Sequence, residues 1–173
     1  MIIVAIGANL PADGFATPLE TCRAAVERLA GEPGLAVTAT SRWYESEPVP
    51  PSEQPWYVNG AVTVETALGP AELLARLHAV EASFGRVRRV RNEARPLDLD
   101  LIDHDGALRD GRDGGPVLPH PRARERAFVL LPLMDVAPAW RHPGTGEAVR
   151  DLISALPADG PAIRPIDAGD ACG

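Results

Sequence analysis

Arg95-Pro96-Leu97-Asp98-Leu99-Asp100-Leu101-Ile102 is the stretch on which the reading of this chain turns. Apolar and acidic residues alternate strictly through it, the period-2 pattern of a half-buried strand. The pattern sends three leucines to the core face and puts Asp98 and Asp100 together on the other. Their α-carbons then lie roughly 6.5–7 Å apart along the extended chain, so both carboxylates can converge on one or two divalent ions. Two carboxylates, with water and phosphate oxygens completing the shell, suit Mg²⁺. For a generic Asp-x-Asp, a solvated strand face is the plainer explanation. Aspartate is depleted in strands, however, and neighbouring like charges destabilise one unless a cation offsets them.

Immediately upstream, residues 86–95 (RVRRVRNEAR) hold Arg86, Arg88, Arg89, Arg91 and Arg95 against Glu93 alone. That local excess of positive charge stands in a chain of net charge −7. A basic patch within an acidic protein attracts an anionic ligand, and the guanidinium fork binds phosphate oxygens in pairs. Downstream, His120 in Leu118-Pro-His-Pro121 precedes Arg122, Arg124 and Arg126 at alternate positions. These three arginines could form a second phosphate clamp, with Arg126 the one best held. Arginines beside an acidic metal cluster are the usual equipment of phosphoryl transfer.

The elements around this centre follow in order. Ile2 to Ile6 reads as a buried strand running into Gly7-Ala-Asn-Leu10. A helix opens at Thr17-Pro18, with Thr17 as cap and Glu20 completing a capping box, and stops at Gly31. Residues 35–45 and 57–66 have strand composition, with Val58, Gly60, Val62 and Val64 on one face of the second and Tyr57, Asn59, Ala61 and Thr63 on the other. The proline-rich segment between them is long for a hairpin and reads as a binding loop. A second helix follows Gly69-Pro70, with Leu73, Leu77, Val80 and Phe84 at core spacing; His78 and Glu81 share a face that is solvated on the plain reading. Residues 126–136 end in a short helix, and Leu152 to Leu156 suggests another. The β-α-β-β-α-β order predicts one α+β domain, a ferredoxin-like antiparallel sheet with helices packed on it and long active-site loops. It spans residues 1–157, and 158–173 is expected to be a mobile tail.

Composition removes several function classes. All 17 cationic residues are arginine, and without lysine neither a P-loop nor a protein-kinase site can be built. The acidic balance argues against nucleic-acid binding. No serine lies in a nucleophile motif, and Gly-x-Gly-x-x-Gly is absent. Cys22 falls on a helix's apolar stripe and Cys172 near the end, which predicts free thiols in a reducing compartment. Met1 to Ile6 lacks the basic flank of a signal peptide, and no run is long enough to span a bilayer. A cytoplasmic protein is expected, with no membrane partner, as a monomer or weak homo-oligomer.

Five motifs in order carry a family resemblance. They are Gly7-Ala-Asn-Leu10, Tyr57-Val-Asn59, Gly85-Arg-Val-Arg88, Arg95-Pro-Leu-Asp-Leu-Asp100-Leu-Ile and Leu118-Pro-His-Pro-Arg-x-x-x-Arg126-Ala-Phe128. Together they resemble the 6-hydroxymethyl-7,8-dihydropterin pyrophosphokinase family over about residues 2–157. The resemblance implies transfer of diphosphate from ATP to the hydroxymethyl oxygen of 6-hydroxymethyl-7,8-dihydropterin, leaving AMP, in folate biosynthesis. It implies two Mg²⁺ ions on Asp98 and Asp100, with Asp98 also near the pterin. Tyr57 and Phe128 would sandwich the pterin ring, Asn59 would bind its edge, and the backbone around Ser46 to Val49 would complete its recognition. His78 and Glu81 fall where the family contacts ATP, and Arg86, Arg88, Arg95, His120 and Arg126 where it contacts or stabilises phosphates. Arg86 and Arg95 would join the aspartates in catalysis. The tryptophan that many members carry before the Leu-Asp pair is absent, and His78 stands where glutamine is usual. A nucleotide-binding module of the same fold without turnover is the alternative, and a metal-dependent phosphatase or nuclease a third.

Overall fold

Ile2–Ala8 forms β1, a central strand whose two faces differ in kind. Ile2, Val4, Ile6 and Ala8 point to one side and are buried, while Ile3, Ala5 and Gly7 point to the other. The computed structural model describes residues 1–85 and 96–167. Within them β1 is followed by α1 (Pro18–Ala30), β2 (Leu35–Thr40), β3 (Tyr44–Ser46), β4 (Tyr57–Thr66), α2 (Pro70–Ser83) and β5 (Asp98–His104). A two-stranded ladder of β6 (Arg109–Asp110) and β7 (Val117–Leu118) leads to α3 (Ala127–Val136), α4 (Val149–Ser154) and β8 (Ile163–Pro165).

The main sheet runs β5-β1-β4-β3-β8, with β2 also on β4, and these pairings are antiparallel. The architecture is α+β. Its first core joins Val4 and Ile6 of β1, Val62 of β4 and Leu99 of β5 to Cys22 and Leu29 of α1 and to Leu73 and Leu77 of α2. Both long helices therefore cover one face. Burial pushes the Cys22 thiol up to about 12, so it stays protonated; Cys172 lies outside the described residues.

The second face has its own core, from Ile3 and Ile102 to Leu130 and Leu133 of α3 and Trp140, Val149 and Leu152 beyond it. From the sequence only a short helix is expected here, because nine of the ten residues of α3 are apolar and leave no helical stripe. Trp140, silent in the sequence, belongs here, with the buried His142 packed edge-on against its ring. A register shift between Ile3 and Val4 pairs Ile3 with Asp103, and this bulge turns Asp103 to the same face, where it accepts the Trp140 indole N–H at 2.7 Å.

Three more expectations change. Residues 35–45 are two strands, not one: the Ser41 N–H still donates to the Ala61 carbonyl, but the returning Ala61 N–H goes to the Ser41 hydroxyl, which itself donates to the Arg42 carbonyl, so the regular ladder stops there. Asp135 of α3 then takes the Arg42 guanidinium and the Tyr44 hydroxyl, which fixes the break. Glu20 reaches past its own cap: Thr17 does accept the Glu20 N–H, but the Glu20 carboxylate takes the Ala16 N–H instead of closing the box on Thr17. The segment assigned to a mobile tail contains β8, where Tyr44 faces Pro165 and Ser46 faces Ile163. Three residues of strand leave almost no periodic signal; an exposed edge on β3 is what recruits them.

Gly60 supports Trp43 on the first core. A Cβ at Gly60 would stand 2.5 Å from the Trp43 ring. Gly60→Ala is expected to cost about 1–3 kcal/mol by overpacking, read as a lowered urea midpoint, and Trp43→Leu in the same chain should recover part of the loss.

Candidate active site

The small residues on the second face of β1 make the site. Ile3 is covered by α3, but next along the face come Ala5 and then Gly7, and the space they leave opens as a cavity of about 430 Å³. Gly7 faces Asn59 of β4 on one side and Asp98 of β5 on the other. Ala5 likewise faces Ala61 and Asp100. Both aspartates thus stand on the wall of a hollow whose floor has almost no side chain, as strand alternation requires.

Tyr57, Asn59, Ser46 and Val49 line this cavity together with Asp98, Asp100, Arg126 and Phe128. Asn59 is 5% exposed and donates from Nδ2 to the Ser46 hydroxyl at 2.8 Å. That bond leaves Oδ1 as the acceptor on the Gly7 side. The Arg126 guanidinium lies 5.3 Å from the Phe128 ring centroid, a cation–π arrangement that holds both side chains at the start of α3. The loop after β3 is tied down at its far end by Asn9, whose Nδ2 donates to Gln54 and to the Pro55 carbonyl. The Asn of the Gly-Ala-Asn-Leu motif is thereby a structural tether.

His120 is seated against β5, its backbone N–H donating to the Ile102 carbonyl at 2.8 Å. Its Nδ1 accepts the Arg122 N–H, so Nε2 carries the proton in the neutral ring. Burial first, and then Arg126, pushes the His120 pKa below its ordinary 6.5, against an opposing pull from Asp98. Burial and then Arg122 likewise lower Arg126, which remains a cation because guanidinium starts so high.

Two expected residues do not line this cavity. Glu81 is not on a solvated face: it is 2% exposed, and its Oε1 accepts the Leu99 N–H at 2.8 Å. Because β5 is the sheet's edge strand, this N–H has no neighbouring strand to bond, and Glu81 satisfies it from the core side. Glu81 therefore supports the link between Asp98 and Asp100. His78, one turn earlier on α2, does not line the cavity either. Arg86, Arg88 and Arg95 lie outside the described residues. Of the three alternating arginines, Arg122 and Arg126 line the cavity, while Arg124 meets Glu147 at 3.4 Å. Glu47, Ser52 and Gln54 also line it; they sit in a loop whose composition marked it for binding without singling them out. Among the described residues no group of three or more His, Cys, Asp or Glu side chains is arranged for a metal. The donors present are the two hard carboxylates, a set that fits Mg²⁺ completed by water and phosphate and does not fit zinc.

Comparison with known proteins gives the arrangement a family. Residues 3–138 match the family model described as 7,8-dihydro-6-hydroxymethylpterin-pyrophosphokinase. The chain is 38% identical over 168 residues to the 2-amino-4-hydroxy-6-hydroxymethyldihydropteridine pyrophosphokinase of Synechocystis, covering 96% of this chain and 80% of that one. It is 39% identical over 161 residues to the protein of the same name from Pseudomonas aeruginosa, covering 92% and 93%. Among solved structures, that of Plasmodium falciparum HPPK-DHPS with pteroate superposes with a TM-score of 0.64 at 13% identity. That superposition covers 88% of this chain and 41% of the larger one, and it speaks to fold alone.

Removing the acceptor at residue 81 should leave the buried Leu99 N–H unsatisfied. Glu81→Leu is expected to cost about 1–3 kcal/mol in chemical denaturation, and Glu81→Gln less, since an amide oxygen still accepts. With a folded-state pKa below 6.5, His120 takes up its proton less readily than in the unfolded chain, so its contribution to stability is complete above pH 6.5 and is lost as pH falls below it. His142, also lowered by burial, acts with the same sign. Melting temperature should therefore fall between about pH 6.5 and 5, and His120→Gln should flatten part of that slope.

Proposed function

This chain belongs to the 7,8-dihydro-6-hydroxymethylpterin-pyrophosphokinase family, and from that premise we propose that its cleft seats a reduced pterin beside an ATP whose diphosphate it transfers. Its role is that of a pyrophosphokinase in folate biosynthesis. The observation that carries the finer reading is the row Asp98–Gly7–Asn59 across three strands. It puts a paired carboxylate, an empty floor and a fixed polar edge within one hollow. The antiparallel β5-β1-β4 core, with both long helices on one face, supports reading the α+β fold as ferredoxin-like.

In this reading the flat pterin lies between Tyr57 and Phe128, a low-entropy way to fix a planar heterocycle. Asn59 Oδ1 accepts from the ring edge, and its Nδ2 stays on Ser46. The loop around Val49 closes the acceptor side, with Asp98 next to the hydroxymethyl group. ATP enters from the side of Arg126 and His120, whose guanidinium and Nε2–H donate to phosphate oxygens. Arg86, Arg88 and Arg95 are assigned by resemblance to the same phosphates, with Arg86 and Arg95 at the transferring group. Asp98 and Asp100 would hold two Mg²⁺ ions, which when bound neutralise charge on the phosphates.

The chemistry asks for alignment more than for covalent help. The hydroxymethyl oxygen bonds to the β-phosphorus, the bridge between the α- and β-phosphates breaks, AMP departs and the hydroxyl proton is released. In-line placement and fixed positive charge lower that barrier. Tight loops also matter, because water reaching the same phosphorus would waste ATP. No helix among the described residues is long and apolar enough to cross a membrane, which is compatible with a cytoplasmic enzyme working as a monomer or weak homo-oligomer.

AMP release from ATP with 6-hydroxymethyl-7,8-dihydropterin as acceptor tests this directly. Asp98→Ala and Asp100→Ala should each lower kcat by at least about a hundredfold, the scale on which electrostatic groups contribute, with melting temperature little changed. Full activity in both variants would sink the metal assignment. Tight ATP binding without any AMP would favour a binding module instead.

A further inference from the structure

The loop that bounds the acceptor side of the cavity is held at both ends. Asn9 ties residues 54 and 55 to the end of β1. At the other end the tie comes from the C-terminal segment, which lies beyond the residues matched by the family model. There β8 extends the sheet along β3, placing Ile163 beside Ser46 and Arg164 beside Glu45. The ladder continues past both strands: the Glu47 N–H donates to the Ala162 carbonyl at 3.0 Å, and the Ile166 N–H to the Trp43 carbonyl at 2.8 Å. The Glu47 carboxylate in turn accepts the Ala162 N–H at 2.8 Å.

Arg164 joins the two ends of the loop. It pairs with Glu45 before the loop and stacks 5.4 Å from the ring centroid of Trp56, which comes after it. Ser46 and Glu47 at one end, and Tyr57 next to Trp56 at the other, line the cavity. A segment distant in sequence thus brackets the loop that encloses the acceptor.

We propose that residues 162–166 are a positioning strap: β8 and Arg164 hold the loop between Ser46 and Tyr57 in its closed-in shape, so that the acceptor site is ordered before its ligand arrives. None of these residues lines the cavity. Their effect is on the entropy of the site, since a loop ordered in advance costs less to fix when a ligand binds. The effect falls on the pterin rather than on ATP, because Asp100, Arg126 and His120 sit on other elements, anchored by β5 and α3. The strap rests on the reading above that this side of the cavity takes the pterin.

The test compares the full chain with one ending at Gly160, measuring AMP formation, KM for each substrate and melting temperature. Truncation should raise KM for 6-hydroxymethyl-7,8-dihydropterin roughly three- to tenfold, as expected for lost preorganisation, with KM for ATP within about twofold. Arg164→Ala should shift the same constant by a smaller factor, and Arg164→Lys, which keeps the pairing with Glu45, should recover part of it. An unchanged pterin KM in the truncated chain would overturn the strap, and so would equal rises for both substrates. If the truncated chain fails to fold, Arg164→Ala decides by the same split. A full chain that makes no AMP would overturn the underlying reading, and the strap with it.

Discussion

The decreasing side-chain size along one face of β1 is the constraint on which the site depends. Ile3, Ala5 and Gly7 are successive residues of a single face, and the sheet cannot place Asn59 and Asp98 around an open floor unless the residue between them lacks a side chain. Where β1 is bulky, α3 packs on it; where it is bare, the cavity opens. The same strand therefore divides its second face into core and cleft. On its first face Val4 and Ile6 are packed under α1 and α2, so the sheet has no freedom to deform and fill the hollow.

Charge of both signs is then distributed around that floor. Asp98 and Asp100 come from β5, and Arg122 and Arg126 from the segment leading into α3. Glu81, deep in the first core, contributes by satisfying the amide between the two aspartates, so the acidic pair is supported from behind. Burial keeps His120 neutral at ordinary pH. A neutral imidazole in that position accepts the Arg122 N–H without adding to the repulsion among its arginine neighbours.

Local and distant constraints meet at the loop after β3. Its proline content limits its conformations, but its position comes from Asn9 on one side and the β8 segment on the other. Asn9 bonds the Gln54 side chain and the Pro55 carbonyl, and Ala162 bonds both the backbone N–H and the carboxylate of Glu47, so both tethers come from residues far along the chain. They carry no local periodicity, so no reading of residues 46–56 could have found them.

Sequence alone determined what local periodicity and residue chemistry can encode. Alternation in Leu97 to Ile102 put Asp98 and Asp100 on one face, helical spacing found α1 and α2, and ordered motifs identified Tyr57, Asn59, Phe128 and Arg126, all of which line one cavity. Only the tertiary structure decided what depends on contacts between distant segments. It put Glu81 under the Leu99 amide instead of on a solvated face, and it sent Arg124 away from the cleft to Glu147. It made a strand of Ile163–Pro165, and it turned Asp103 toward Trp140 through a one-residue bulge. The physical reason is common to all four. A side chain's neighbours along the chain set which face it takes, but its partner is whatever buried donor or exposed edge the assembled sheet leaves unsatisfied.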